Sequence, residues 1–250
     1  MPPIHIGVLV VPPIQLLDIA PVDLFAMMTQ SYFEACKLPP SLVNLSIPTS
    51  DLTMTYIAHS GTNSTANTTA SLGLAINAGL DDPSVAPGKL DILVIPGPPP
   101  GMQMDAPVLQ FVRRHVEHGV DLLTICSGVF VAAQAGVLDG KCATGTRGVA
   151  HLLAKAHPQV KWEDKRYCND DRIWTSGGIT NGMDMVATYM RHRWPGAATE
   201  TVLEMAEVVV RPQEYGTGKA GMNAWWAFHI FKAWIGGLTG GRLGAHGRKA

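Results

Sequence analysis

The fold is decided by the stretch VDLLTICSG, residues 120–128. Its first six residues are apolar apart from one aspartate and one threonine, a pattern typical of a strand that helices cover on both faces. Cys126 follows at once, and the Ser127 and Gly128 beside it suit a tight turn. Residues 129–135 then predict a helix. The stretch therefore predicts a strand, a sharp turn and a helix, with Cys126 on the turn.

The same alternation of strands and helices extends over most of the chain. Apolar runs at residues 4–11 and 90–95 predict two further buried strands, and residues 42–47 predict another. Helical spacing of apolar residues predicts helices over residues 107–118 and 181–193. Such an order favours an α/β fold, with a mostly parallel sheet and helices on both faces.

Composition excludes several functional classes. The 250 residues carry a formal net charge of −1, which gives no reason to expect a nucleic acid or membrane partner. The four cysteines lack metal-ligand spacing, so neither a metal nor another cofactor is expected. The first residues lack the basic segment of a signal peptide, and Pro12 interrupts their apolar run. We therefore expect a cytoplasmic protein without disulfides.

Two regions are expected, residues 1–212 as the α/β domain and residues 213–250 as an appendage. Residues 222–235 predict an aromatic helix, and residues 236–250 predict a loose end. The polar residues of that helix do not form one clean face. We therefore expect it to pack on the protein body or on a second subunit rather than on a membrane.

Cys126 is the first candidate for chemistry. In parallel sheets functional groups collect at the carboxyl ends of strands, where Cys126 is predicted to lie. Backbone N–H groups at the start of the following helix favour the nucleophilic thiolate. The alternative is that Cys126 is simply a small buried apolar residue.

Asp18 is the second candidate, because it follows the first strand among apolar residues. Burial without a cation would raise its pKa and make it a proton donor. The alternative is an N-cap for a helix predicted over residues 21–32. The glycines of the loop at residues 96–101 could offer an N–H to an anion. Sequence spacing identifies no clear histidine partner for Cys126, although His151 lies downstream.

Five blocks in order resemble the DJ-1/PfpI (ThiJ) superfamily and, within it, its isonitrile hydratase-like branch. The blocks are LD (17–18), DILVIPG (91–97), TICSG (124–128), AGVLDGK (135–141) and TSGGITNGMD (175–184). The resemblance implies a flavodoxin-like sandwich, a homodimer, Cys126 on a nucleophile elbow and Asp18 as the acid beside it.

Two departures from the family pattern matter. Many relatives have a histidine near Thr146, so no Cys-His triad is expected here. Relatives also commonly have Gly-Gly where this chain has Gly97 and Pro98, and proline has no N–H. An oxyanion would then depend on the Ser127 amide together with Gly97.

The resemblance implies a lyase that hydrates a small electrophilic substrate. The Cys126 thiolate attacks carbon, Asp18 supplies a proton to give a thioimidate, and water positioned by Asp18 and Thr180 releases an N-formamide. The expected pocket is narrow and apolar, with Ile19, Ile179 and Trp174 as walls. The alternatives are glyoxalase-like carbonyl chemistry and a non-enzymatic redox-sensing or stress protein that uses Cys126.

Overall fold

A six-stranded sheet forms the centre of the molecule in the computed structural model, which describes residues 2–238. Its strands are β1 (Ile4–Leu9), β2 (Leu52–Ile57), β5 (Ile92–Ile95), β6 (Asp121–Thr124), β9 (Tyr167–Asp170) and β10 (Ile173–Ser176). The order is β2-β1-β5-β6-β10-β9, and every neighbouring pair is parallel except β10 with β9. Small two-stranded sheets pair β3 (Thr65–Asn67) with β4 (Gly73–Ala75) and β7 (Cys142–Ala143) with β8 (Lys161–Trp162).

Helices connect the strands and cover the sheet. They are α1 (Leu16–Ile19), α2 (Asp23–Ala26), α3 (Gln30–Ala35), α4 (Pro40–Val43), α5 (Ala106–Glu117), α6 (Gly128–Gln134), α7 (Ala150–Ala156), α8 (Asn181–Arg193), α9 (Ala197–Met205) and α10 (Lys219–Leu238). Short 3₁₀ turns occupy Ala20–Val22, Thr49–Asp51, Pro83–Val85 and Arg147–Val149. The predicted α/β class with a mostly parallel sheet is confirmed.

Two apolar cores lie on opposite faces of the central sheet. Successive residues of a strand point to opposite faces, so Ile92 and Val94 of β5 belong to one core, and Leu93 and Ile95 belong to the other. Helices α8 and α9 contribute to the first core, and α5 and α6 to the second. Burial on both faces explains why these strands read as continuous apolar runs.

Two predictions of local structure are wrong. The helix expected over residues 21–32 is divided, because Thr29 is extended and the backbone around it bonds to Ile47. The strand expected over residues 42–47 is absent, since Pro40 begins the short helix α4. A proline in the first turn has the φ angle that a helix requires. Only Ile47 of that stretch forms a strand-like bridge, to Thr29.

The end of the chain forms a unit of its own. The chain divides into two units, Met1–Gln213 and Glu214–Ala250, each with most of its contacts inside itself. The predicted domain boundary at residue 212 stays a prediction. The aromatic helix is α10, and its large apolar side chains are exposed. Most of the loose end predicted over residues 236–250 lies outside the described residues. Among the helices of residues 2–238, none has the length and hydropathy needed to cross a bilayer.

Candidate functional site

The carboxyl edge of the sheet brings together loops from four strands. Asp18 follows β1, Gly97 follows β5, Cys126 follows β6, and Ile179 and Thr180 follow β10. The parallel topology places all four strand ends at one edge, as the sequence predicted. We call the group formed by Asp18, Gly97 and Cys126, together with Ser127, the carboxyl-edge site.

Cys126 lies on a strained turn between β6 and α6. Its φ is 56°, in the left-handed region that non-glycine residues rarely adopt. Its N–H donates to the Gly177 carbonyl over 3.1 Å. A side chain at Gly128 could not be accommodated, since a Cβ there would lie 2.0 Å from the Ile95 oxygen. The neighbouring strands therefore hold the turn in place, and the half-buried Cys126 thiol is presented at its tip.

Asp18 is fully buried and has no cationic partner among the described side chains. Its Oδ2 accepts a hydrogen bond from the Gly97 N–H over 3.0 Å. Its Oδ1 has no hydrogen-bond partner within residues 2–238. Burial raises the pKa of Asp18 to about 7, although the Gly97 N–H and the nearby Cys126 thiol each lower it in part. The carboxyl can therefore carry a proton near neutral pH.

The alternative role of Asp18 as a helix cap is wrong. Asp18 lies inside α1, whose N-cap position is held by Gln15, and it makes no side-chain cap. Its hydrogen bond goes instead to Gly97, which is 79 positions away in sequence. This contact ties the loop after β1 to the loop after β5.

Gly97 lies where a side chain would close the site. A Cβ at this position would be 2.6 Å from Asp18 Oδ2, 2.4 Å from Ser127 Oγ and 3.0 Å from the Ser127 nitrogen. The Gly97 N–H already binds Asp18, whereas the sequence suggested it as an oxyanion donor. The Ser127 N–H makes no hydrogen bond to another described residue. The Ser127 hydroxyl donates to the Pro98 carbonyl, which leaves the amide as the available donor.

Thr146 is a site residue that the sequence analysis did not select. Its Oγ1 lies 3.3 Å from Cys126 Sγ. The signal was present, because Thr146 stands near the position where many relatives have a histidine. No histidine of the described chain forms a hydrogen bond with Cys126, and His151 is exposed on α7.

A mainly apolar pocket of about 400 Å³ is lined by residues that neighbour the site in sequence, although neither Asp18 nor Cys126 lines it. Leu17, next to Asp18, forms one wall, and Ile179 and Thr180 form another with Met183. The Thr180 hydroxyl accepts a hydrogen bond from Arg211 over 3.0 Å. Within residues 2–238 the Thr180 hydroxyl thus bonds to Arg211 and to neither Asp18 nor Cys126.

Ile19 and Trp174, the other two residues expected to line the pocket, line different cavities. Ile19 lines a neighbouring pocket of about 260 Å³ with Tyr56. The expectation for Trp174 is wrong, because it lines a cavity at the opposite, amino-terminal edge of the sheet. Its ring contacts Tyr189 and His192 there. Trp174 lies in β10 two residues before its end, which is too far back to reach the carboxyl edge.

A family model described as the DJ-1/PfpI family matches residues 33–192. That range is more than half of the chain and contains Gly97, Cys126 and Thr146. The chain belongs to the DJ-1/PfpI family. Asp18 lies before the matched range, so its assignment depends on the geometry described above.

Two curated relatives resemble part of this DJ-1/PfpI chain. An isonitrile hydratase from Pseudomonas putida is 33% identical over 102 residues, which are 40% of this chain and 43% of the relative. Deglycase PfpI from Pyrococcus furiosus is 28% identical over 106 residues, 42% of this chain and 62% of the relative. The chain thus matches less than two thirds of the length of either relative.

Solved structures share the fold of this DJ-1/PfpI protein. Drosophila melanogaster DJ-1beta aligns with a TM-score of 0.65 at 16% identity, over 83% of this chain and 99% of that one. A ThiJ/PfpI family protein from Pseudomonas syringae aligns with a TM-score of 0.65 at 19% identity, over 88% and 80%. At such identities the likeness establishes the flavodoxin-like fold.

Proposed function

We propose that this DJ-1/PfpI protein is a cysteine-dependent enzyme of the isonitrile hydratase type, a lyase that adds water to a small isonitrile. The observation that carries the proposal is the buried Asp18 carboxyl, whose pKa is raised to about 7 beside the Cys126 thiol. A nucleophile and a carboxylic acid that is protonated near neutral pH are what addition to an isonitrile carbon requires.

The first step forms a covalent intermediate. The Cys126 thiolate attacks the terminal carbon of R–N≡C and forms a C–S bond. That carbon takes a proton from Asp18, which gives the thioimidate R–N=CH–S–Cys126 and leaves Asp18 as a carboxylate. The proposal is supported by the influence of the Cys126 thiol on the pKa of Asp18 and by an Asp18 Oδ1 that has no hydrogen-bond partner within residues 2–238.

The second step releases the product. The Asp18 carboxylate accepts one proton from water as the water oxygen adds to the thioimidate carbon, and the remaining hydroxyl proton passes to the nitrogen as the C=O bond forms. The C–S bond then breaks to give the formamide R–NH–CHO and the Cys126 thiolate. Asp18 thereby acts first as an acid and then as a base. Overall one water is added, with no oxidation or reduction.

Thr146 and Ser127 assist in different ways in this proposal. The Thr146 hydroxyl, 3.3 Å from Cys126 Sγ, donates to the thiolate and orients it. The Ser127 nitrogen borders the space that a side chain at position 97 would fill. In the proposal its N–H donates a hydrogen bond to the substrate in that space. Thr180 was expected to position water, but its hydroxyl binds Arg211. In the proposal it lines the pocket, and Thr146 contacts the reacting sulfur.

A second candidate is the carbonyl chemistry of deglycases, at the same cysteine. It is favoured by the resemblance to deglycase PfpI. Addition to a carbonyl develops an oxyanion, which donor groups must stabilise. Pro98 has no N–H and the Gly97 N–H is bound by Asp18, so Ser127 remains as the backbone donor. An isonitrile develops no oxyanion at the attack step, which makes it the better match to this site.

The test is a paired assay with the full chain. Incubation with an alkyl isonitrile is expected to yield the N-formamide, detected by mass spectrometry, and methylglyoxal is expected to yield little lactate. Lactate without formamide would establish the second candidate. If neither product forms and peroxide oxidises Cys126 before Cys142, the redox-sensor alternative replaces both enzymes.

Two further expectations belong to this proposal. The reaction needs a reduced thiol, so we propose that the protein works in the cytoplasm, where thiols stay reduced.

The homodimer that the family resemblance implies also stays a prediction, and light scattering of the purified chain measures it.

A further inference from the structure

The helix α10 (Lys219–Leu238) is an exposed apolar element at the end of the chain. Between 41% and 64% of the surface of each large apolar side chain is accessible, and these side chains are Trp225, Trp226, Phe228, Ile230, Phe231, Trp234 and Ile235. Single exposed apolar residues are ordinary on a protein surface, but a contiguous set marks an interaction surface. The set is therefore a candidate interaction surface.

One side of α10 is apolar throughout. At about 100° per residue, Phe228, Phe231, Trp234 and Ile235 fall within an arc of about 120°. The rings of Phe231 and Trp234 stack with centroids 6.2 Å apart. The polar residues of the helix, Lys219, Asn223, His229 and Lys232, lie outside that arc. The helix lacks one clean polar face, but it has one clean apolar face.

The remaining side of α10 mixes aromatic and basic groups. Trp225 packs against His229, with ring centroids 4.0 Å apart, and against Trp226 at 5.0 Å. Tryptophan is enriched at the level of lipid headgroups, since its ring is apolar and its N–H is polar. Lysine side chains next to such rings extend their charge towards the headgroups.

Charge distinguishes this end of the chain from the rest. Residues 219–250 contain five lysines and arginines and no aspartate or glutamate, a net charge of +5. The whole chain has a net charge of −1, so the other residues carry −6. A basic segment that contains an apolar aromatic helix is complementary to an anionic bilayer surface. The absence of a bilayer-crossing helix within residues 2–238 favours a helix that lies on the surface.

We propose that α10 binds the surface of an anionic lipid bilayer. The apolar arc, centred on Phe231, enters the headgroup boundary, and Lys232 faces the anionic headgroups. This proposal is independent of the reaction at Cys126. It differs from the expectation, drawn from the near-zero net charge and from the lack of one clean polar face, that the helix packs on protein and the chain has no membrane partner.

The experiment is co-sedimentation of the full chain with vesicles. One set contains phosphatidylcholine and phosphatidylglycerol, and the other contains phosphatidylcholine alone. We expect at least tenfold tighter binding to the anionic vesicles, a blue shift of tryptophan fluorescence, and weaker binding as salt rises. The variant F228S/F231S/W234S is expected to lose at least tenfold in binding and to keep the wild-type circular dichroism.

The control variant is L45S/L72S, which removes two leucines that are each 53% exposed in the other unit. It should bind vesicles like the wild type. Absence of sedimentation with anionic vesicles, or equal sedimentation of the α10 variant, overturns the proposal. A dimer in light scattering that the α10 variant abolishes, without vesicle binding, assigns the helix to a second copy and overturns it equally.

Discussion

The two edges of the central sheet place carboxyl groups in opposite surroundings. At the amino-terminal edge, Asp121 accepts a hydrogen bond from the Tyr189 hydroxyl over 2.7 Å and lies 3.6 Å from an Arg172 nitrogen. At the carboxyl edge, Asp18 is fully buried with one backbone donor and no cation. Asp121 and Cys126 stand at opposite ends of the β6 segment, so one strand supplies both environments.

The larger cavity of the molecule is not at the edge for which we propose a reaction. The amino-terminal edge has a polar cavity of about 470 Å³, larger than the 400 Å³ pocket lined by Leu17 and Ile179. Its Asp121 is bound by Tyr189 and faces Arg172, so this carboxyl contributes to structure. The unpaired carboxyl of Asp18 and the strained turn of Cys126 cost stability, and such costs concentrate at functional sites.

The largest expected effect is at the nucleophile. Cys126→Ala should lower formamide production by more than about 10⁴-fold, because no other described thiol lies beside Asp18. The melting temperature should change little, since the Cys126 side chain is only half-buried and alanine keeps the turn. Cys142→Ala, at a half-buried position on β7, is the matched control and should keep full turnover. Substantial turnover by Cys126→Ala would exclude covalent catalysis.

The second effect compares the two edges directly. Asp18→Asn keeps the acceptor for the Gly97 N–H but removes the acidic proton, so kcat should fall by about 10²–10⁴-fold. Asp121→Asn keeps an acceptor for Tyr189 and should leave kcat unchanged, with a loss of stability of about 1 kcal/mol. Equal activity of the two variants would show that Asp18 is not the acid.

The location of Cys126 could be predicted from local sequence, whereas the local sequence left Asp18 open between a proton donor and a helix cap. A strand, a cysteine and two small residues in succession specify the turn locally. The state of Asp18 depends on burial and on Gly97, which only tertiary folding brings near. Nothing in the local sequence distinguishes that contact from a helix cap.

The errors have the same origin. Residues 42–47 are apolar enough for a strand, but Pro40 begins a helical turn before them. Trp174 is apolar and near the end of its strand, but its ring is directed to the amino-terminal edge. Thr146 was passed over because a threonine near a cysteine has no pattern of its own, and its 3.3 Å contact appears only in three dimensions.

A third prediction concerns stability as a function of pH. Below about pH 4 the Asp18 carboxyl is protonated in both the folded and the unfolded chain. As pH rises towards 7 the unfolded chain gives up that proton first, since its pKa is near 3.8 and the folded value is about 7. Folding therefore loses about 2–4 kcal/mol between pH 4 and pH 8.

The matched comparison for that loss is Asp18→Asn. Chemical unfolding of both proteins should give similar free energies at pH 4 and a variant more stable by about 2–4 kcal/mol at pH 8. If the free energies of unfolding of the two proteins changed equally with pH, Asp18 would ionise normally in the folded chain.

The smallest expected effect is at Thr146. Thr146→Val keeps the shape but removes the hydroxyl 3.3 Å from Cys126 Sγ. One hydrogen bond to a charged group corresponds to a loss in kcat/KM of about tenfold. Thr146→Ser should restore most of the rate. An unchanged rate of iodoacetamide labelling of Cys126 in Thr146→Val would show that the hydroxyl does not act on the sulfur.

The central claim is that Asp18 holds a proton near neutral pH beside Cys126. The direct measurement is a ¹³C NMR titration of the aspartate carboxyl carbons, with Asp18 assigned by the signal that disappears in Asp18→Asn. Asp170 is the internal reference, because the Cys142 N–H and Lys141 hold its pKa below the ordinary value. We predict that Asp18 titrates near pH 7 while Asp170 titrates below its ordinary range. An Asp18 signal that titrates near pH 4 would contradict the account.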